Sequence, residues 1–259
     1  RGVPLWSVGT SWNVPIDFLS MEQLNLLKFS LTYGSNGNIS RQVSSLPIAV
    51  YTTSLDTQLP MGILQSVGNP DLRWERVSTW NFGVNTQLFD KRIEARFDLY
   101  RKTGTDLIGE SAFDPTIGIF PTAAGVYEIS NLINYASIQT MGFDAEIRVK
   151  QQMGNVLWNP TLQVSYSTNK ITNYMAQNSS NIYSYFNESN APEVVGLSKD
   201  VLYAIPWNGL DSSNGRSLTP LGDQDYVRYF ATLTPKDLMN VGVTIAPWYG
   251  SMINTFQYK

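Results

Sequence analysis

The chain of 259 residues has no cysteine and no histidine, and only 15% of its residues are charged. Without cysteine there are no disulfides, thiolate nucleophiles or zinc–thiolate clusters. Without histidine the commonest general base and the commonest transition-metal ligand are gone. Soluble domains average about 25% charge, so the shortage needs a cause, and disorder is not it, because 42% of the residues are hydrophobic and 12% aromatic. A net charge of −3 argues against nucleic acid as a partner. No apolar run reaches the roughly 18 residues of a membrane-spanning helix, and mean hydropathy is −0.17. Strands that cross a membrane alternate apolar and polar residues and so average to neutral hydropathy.

Period-two alternation dominates what is present. Ile93, Ala95, Phe97 and Leu99 fall on one side of a strand, with Glu94, Arg96, Asp98 and Tyr100 on the other. Upstream, Trp80, Phe82, Val84, Thr86 and Leu88 alternate with Asn81, Gly83, Asn85 and Gln87, and the polar turn at 89–92 makes the two runs a hairpin. The same pattern starts at Trp6, Val8, Thr10, Trp12 and Val14 and continues, after a polar connection at 20–25, in Leu27, Phe29, Leu31 and Tyr33. It returns in Phe143, Ala145, Ile147 and Val149, opposed by Asp144, Glu146, Arg148 and Lys150. A turn at 151–155 leads to Trp158, Leu162, Val164 and Tyr166, and a seventh, looser run covers 248–258.

Short turns alternate with long connections at 35–73, 108–137 and 174–247. Short turns at one end and long loops at the other are the habit of outer-membrane barrels, as are strands of about 10 residues with Trp and Tyr near their ends. The expected fold is therefore all-β: an antiparallel transmembrane β-barrel segment of about seven long strands with long extracellular loops. An odd strand count cannot close alone, since open edges in hydrocarbon leave N–H and C=O groups unpaired at several kcal/mol each. The chain is thus expected to be part of a larger barrel. Two alternatives stand beside it: a soluble carbohydrate-binding β-sandwich, and a glycoside hydrolase working with two carboxylates, for which no carboxylate pair stands out.

Specific strings point further. NPDLRWE at 69–75, followed by TWNFGVNTQLFDKRIEARFDLYRKTGTDLI at 79–108, closely resembles the SusC/RagA-like TonB-dependent transporters of the Gram-negative outer membrane. LKFSLTYGSNGN at 27–38, NYASIQTMGFDAEI at 134–147, WNGLD at 207–211, LTPKDL at 233–238 and the terminal WYGSMINTFQYK agree in order. The chain departs from the family pattern at Tyr135-Ala136, Met141 and Ser251-Met252. The resemblance implies a 22-stranded barrel with a plugged lumen, energised through the TonB complex and lidded by a SusD-like lipoprotein. It implies import of oligosaccharides or peptides across the lipid bilayer, with no enzymatic step and no cofactor. All of residues 1–259 then belong to one barrel domain, with the plug and the TonB box outside this chain.

For binding residues, the loop 174–247 is the richest region. Tyr183, Tyr185, Tyr203 and Trp207 offer aromatic faces, and Asp211 a polar partner, the usual means of holding a sugar ring or a peptide. The competing reading is that these aromatics pack the loop against the barrel rim or a lid. Asp211 to Gly215 lacks the spacing of a calcium loop and reads as an Asx turn. Asp223 and Asp225, two apart, fit either a hard-metal contribution or loop charge. The charges at Glu94, Arg96, Asp98, Asp144, Glu146, Arg148 and Lys150 are expected to face the lumen, for barrel structure or plug packing.

Overall fold

A computed structural model describes residues 3–15, 23–38, 44–54, 56–110, 131–175, 182–186 and 192–258. Seven long strands form one antiparallel sheet: β1 (Trp6–Asn13), β2 (Leu24–Asn38), β5 (Glu75–Leu88), β6 (Ile93–Glu110), β7 (Leu132–Val149), β9 (Val156–Tyr174) and β12 (Trp248–Tyr258), adjacent in that order. The short β8 (Gln151–Met153) pairs with the start of β9 through the turn at Gly154. Outside the sheet, β3 (Ile48–Thr53) and β4 (Pro60–Ser66) form a hairpin, as do β10 (Val201–Ala204) and β11 (Met239–Val243), with the helix α1 (Tyr226–Thr232) between the latter two in sequence.

All seven expected strands are present, but they are longer than the alternation predicted. β6 runs to Glu110 and β7 begins at Leu132, so the connection placed at 108–137 is largely strand at both ends; residues 111–130 of it lie outside the described residues. The connection at 35–73 likewise starts inside β2 and contains the β3–β4 hairpin. Residues 20–22 of the first polar connection also lie outside the described residues. The β5–β6 turn is as tight as expected, with Phe89, Asp90 and Lys91 all at positive φ.

Register puts chemistry of one kind along each face. Trp12, Phe29, Val84, Phe97, Ala145 and Val164 are successive cross-strand partners. One residue along, the row reads Asn13, Lys28, Asn85, Arg96, Glu146, Gln163 and Ser251. Because side chains alternate strictly, a shift of one residue would exchange the two faces wholesale. On the apolar face the rings touch across strands: Phe97 to Phe143 at 5.6 Å, Phe143 to Tyr166 at 6.0 Å and Tyr166 to Trp248 at 4.8 Å. Yet Phe97 stays 39% exposed, Leu99 48% and Met252 61%. A soluble sandwich would cover this face with a second sheet, and none lies over it among the described residues.

The height of the band fits a bilayer. Thr168 sits level with the Trp80 row at the loop end, and Trp158 faces Phe256 near the turn end. The ten steps from Trp158 to Thr168 along β9 span about 33 Å, or about 25 Å at a tilt of roughly 40°. Trp6, Tyr33 and Trp80 cluster at the upper border, with centroids 5.2 and 4.4 Å apart. The opposite face is packed by small residues where large polar ones cross. A Cβ at Gly142 would meet the Tyr100 hydroxyl and the Tyr166 carbonyl, and one at Gly83 would meet Asp98 Oδ1 at 2.9 Å, so both glycines let a neighbour lie flat on the wall.

Above the point where β12 leaves β9, the loop takes over as β9's partner. The Gly196 amide donates to the Ile171 carbonyl, and the Ile171 amide to the Leu197 carbonyl, both at 2.9 Å. Ile171 is 2% exposed beneath this segment. Glu193 enters the same contact half-buried beside Tyr135 and Tyr174, and burial pushes its carboxyl up against the opposing pull of Lys199.

Two predictions follow from this arrangement. Phe97→Arg in the full-length protein lowers unfolding free energy in vesicles by about 2–4 kcal/mol, whereas Gln163→Arg, on the polar face, changes it by less than about 1 kcal/mol; urea titration followed by tryptophan fluorescence reads both. For Glu193 the folded state holds its proton more tightly than the unfolded state. The docked loop is therefore most stable below the ordinary carboxylate range and loses stability as pH rises through the raised value. Glu193→Gln abolishes that decline and increases protection of the Gly196 amide at pH 7, measured by hydrogen exchange corrected for the intrinsic rate.

Candidate functional site

Two surfaces carry polar chemistry: the inward wall of the sheet and the loop that caps one end. On the wall, Lys150 Nζ lies 2.9 Å from Glu94 Oε1 and Arg148 2.7 Å from Glu146. Arg96 Nε donates to Asp98 at 2.5 Å, and Gln163 donates to Glu146 at 2.7 Å. Asp98 and Asp144 are direct cross-strand partners. Arg96, Asp98, Asp144, Glu146, Gln163 and Ser165 line a hollow of about 320 Å³. The expected inward charges are thus on one face, as alternation required; the basic partners are more than half exposed, while Asp98, Glu146 and Glu94 are more covered.

The loop is built around α1. Asp225 caps it, its Oδ1 accepting from the Arg228 amide at 2.9 Å. Asp223 Oδ1 accepts from the hydroxyl of Thr219, which is fully buried. The two carboxylates are therefore engaged in local structure, satisfying backbone and hydroxyl donors that the turn would otherwise bury. A second cap follows, where Asp237 accepts from the Thr234 amide at 2.8 Å and hydroxyl at 2.7 Å, and these bonds hold the Asp237 carboxyl below its usual range.

Trp207 and Asp211 are brought together by a small hairpin closed by the Leu210–Ser217 bridge. Asp211 Oδ1 accepts from the Ser213 amide at 2.7 Å, which is the expected Asx turn. Its other oxygen accepts from Gln224 at 2.7 Å, and the Ser213 bonds above all keep its carboxyl low and charged. Trp207 is 65% exposed, and its ring is fixed by donation from Nε1 to Ser217 Oγ at 2.9 Å. Ser217 in turn bonds the Tyr226 hydroxyl at 2.7 Å.

Tyr183 is 59% exposed and stacks on Phe230 at 5.2 Å, and Phe186 meets the same ring edge-on at 6.0 Å. Tyr226 and Phe230 are four apart on α1 and so share a face. One helix face therefore steadies both exposed aromatics, Trp207 through Ser217 and Tyr183 by stacking. Tyr185 and Tyr203 have a different place. They are 3% and 8% exposed, pack edge to face at 5.4 Å, and burial pushes both phenols up. They form the loop's interior, so the five expected residues divide into an exposed set and a supporting set. That division is not legible in residue type or spacing, since Tyr183 and Tyr185 lie two positions apart in one 3-10 turn at Ile182–Phe186. Phe230 becomes a partner only through α1, and nothing in the sequence marks that helix as the organising element.

Among the described residues, no group of three or more acidic side chains is arranged to hold a metal ion. The arrangement is one of binding surfaces, with rings and hydrogen-bonding groups open to a ligand at the loop end and a charged wall below.

Comparison with known proteins agrees with this architecture. Residues 1–258 match the family described as TonB dependent receptor-like, beta-barrel. Of curated relatives, TonB-dependent receptor P39 of Formosa agariphila is 27% identical over 154 residues, covering 59% of this chain and 14% of that protein. Receptor P26 of the same organism is 26% identical over 171 residues, covering 64% of this chain and 16% of that protein. Among solved structures, the RagAB peptide importer in its closed-closed state superposes with a TM-score of 0.75 at 19% identity, over 98% of this chain and 28% of that chain. Its open-open state gives 0.71 at 20% identity, over 98% and 27%. The chain thus spans about one seventh of the length of the curated relatives and just over a quarter of the solved chain. With the family matched over nearly every residue, and with a sheet that is apolar outside and charged inside, the chain belongs to the TonB-dependent receptor β-barrel family.

Proposed function

We propose that these residues are a stretch of wall and extracellular loop, all of one barrel domain, in an outer-membrane importer of the SusC/RagA-like kind. The observation that carries this reading is the two-faced sheet: a band of exposed rings about 25 Å tall on one side, a charged wall on the other, and the elaborate loops gathered at one end. On this reading the outward face meets lipid, the inward face lines the lumen and meets the plug, and energy arrives through the TonB complex from parts of the protein outside this chain. The work is vectorial movement of a bound cargo, with no covalent chemistry by these residues.

The cargo class is an oligosaccharide or a peptide. Tyr183 and Trp207 are its contacts at the loop surface, with Asp211 beside Trp207 as a charged acceptor for hydroxyl or amide donors. Tyr185 and Tyr203 hold the loop that presents them. A SusD-like surface lipoprotein closing over the loops would complete the compartment. The similarity to the RagAB peptide importer favours peptide over glycan, and the exposed rings suit both.

The test begins with the native polypeptide carrying this sequence. It should sediment with the outer membrane at a mass several times 29.0 kDa; a water-soluble species of that mass overturns the reading. In the intact protein, Trp207→Ala and Tyr183→Ala each weaken binding of peptide or oligosaccharide cargo about three- to tenfold, the worth of one stacked ring, and leave barrel stability unchanged. Tyr185→Ala loses binding together with protease resistance of the loop. Isothermal titration with a peptide pool and a glycan pool, run in parallel, decides the cargo class.

A further inference from the structure

The outward face of the sheet is not uniformly apolar, and its exceptions are all of one sign. Following the pairing from the turns up to the level of Thr105, the ionisable residues that share a face with Phe97, Phe143 and Trp80 are Arg76, Arg101 and Lys170. No carboxylate shares that face over the same span. By contrast, the inward face mixes both signs in ion pairs. All three cations are exposed, and none makes an ion pair among the described residues.

Their height is as specific as their sign. Arg101 is the cross-strand partner of Trp80, at the upper border of the apolar band, and Lys170 lies two residues above that level on the same face, opposite Gln139. Arg101 donates to Gln139 Oε1 at 2.9 Å, so Gln139 holds the guanidinium upright between β6 and β9. Two strand spacings across and two residues along separate the two cations, about 12 Å between their backbones. Gln139, Met141, Thr168 and Lys170 form one wall of an open hollow of about 340 Å³, with loop residues including Gly196 and Ser198 on its other side. The acids of that loop segment are turned to other partners: Glu193 lies beside Tyr135, Tyr174 and Lys199, and Asp200 accepts from Asn169. The hollow therefore has a methionine on the lipid-facing side of the sheet, with Lys170 on its rim and Arg101 joined to it through Gln139, and neither cation is ion-paired among the described residues.

We infer that Arg101 and Lys170, with Gln139 between them, form a site for the phosphate-bearing headgroup of a lipid in the leaflet at the loop end of the barrel. A guanidinium and an ammonium astride an amide offer charge-assisted donors to phosphate oxygens, and the apolar wall below receives the acyl chains. A free phosphate would use the donors alone and ignore the floor. Membrane-facing charge at an interface is retained when it meets a counter-charge there, and the absence of any carboxylate on this face leaves the lipid to supply it. This inference rests on the outer-membrane reading above.

The test uses the full-length protein in dodecyl maltoside, titrated with diphosphoryl lipid A by native mass spectrometry. Wild type binds the lipid. Arg101→Gln/Lys170→Gln lowers the affinity about tenfold or more, the worth of charge-assisted bonds lost at two exposed positions. Lys91→Gln, at the opposite end of the sheet, leaves it unchanged. Resistance of the folded barrel to dodecyl sulfate at room temperature verifies that the double variant folds. Inorganic phosphate at millimolar concentration does not displace the lipid; full displacement by phosphate overturns the lipid assignment in favour of a free-anion site. Equal affinity in wild type and double variant, or no binding by wild type, overturns the inference outright. Sedimentation of the native protein with the outer membrane is scored separately, so failure of the membrane reading and failure of the lipid site give different results.

Discussion

Everything in this molecule depends on the pairing of backbone N–H and C=O groups between neighbouring strands. In hydrocarbon no water replaces a missing partner, and each orphaned group costs several kcal/mol. The β6–β7 ladder alone runs from Ile93 opposite Val149 to Glu110 opposite Leu132. Once that ladder fixes the register, the two faces are no longer independent choices. Phe97 can face outward only because Arg96 and Asp98 face inward, and the ion pairs of the wall are placed by the same pairing that aligns the rings.

Energetically the two faces work differently. Outside, stacked and edge-on rings such as Tyr33 with Trp80 interlock laterally, each pair adding about 0.5–1.5 kcal/mol beyond area burial. Inside, the pairs at Glu94 and Lys150 or Glu146 and Arg148 are more than half exposed on their basic partner and contribute little stability individually. Their value is that a polar wall can be wetted or contacted by other polar surfaces. The outer face secures the sheet, and on the proposed reading the inner face keeps the lumen hydrophilic.

How far the sequence could be read follows from the same division. Within the membrane the solvent differs on the two sides of a strand, so alternation is strict and all seven long strands were legible, down to the turn at 89–92. Above the membrane both sides meet water or loop, the contrast fades, and the upper reaches of β6 and β7 from Thr103 and up to Gln139 carry no period to read. The hairpin β3–β4 and the strand β11 stayed hidden for a related reason, since their side chains are mostly exposed, and β10 is too short, at four residues, to show a period. At the loop, composition revealed that aromatics gather there, but whether a given ring supports or meets a ligand depends on α1, whose capping by Asp225 is a local hydrogen bond that competes with many equivalent turns. Tyr203, buried with no hydrogen-bond partner for its hydroxyl among the described residues, shows how little the residue type alone discloses.

The β10–β11 pairing has a consequence for how the chain tolerates change. From the end of β9 at Tyr174 to the start of β12 at Trp248 the chain makes a long excursion, and closing such a loop from scratch would cost about 2–3 kcal/mol more than a tight turn. But Val201 pairs with Val243, the Thr244 amide bonds the Asp200 carbonyl at 2.8 Å, and the Ser167 amide bonds the Pro247 carbonyl at 2.9 Å. The excursion is thus cinched at its base, where these bonds bring the start of β12 back to β9. Whatever lies between Ala204 and Met239 is a cassette: its length and surface can be rewritten through evolution without altering the closure geometry of the wall beneath it.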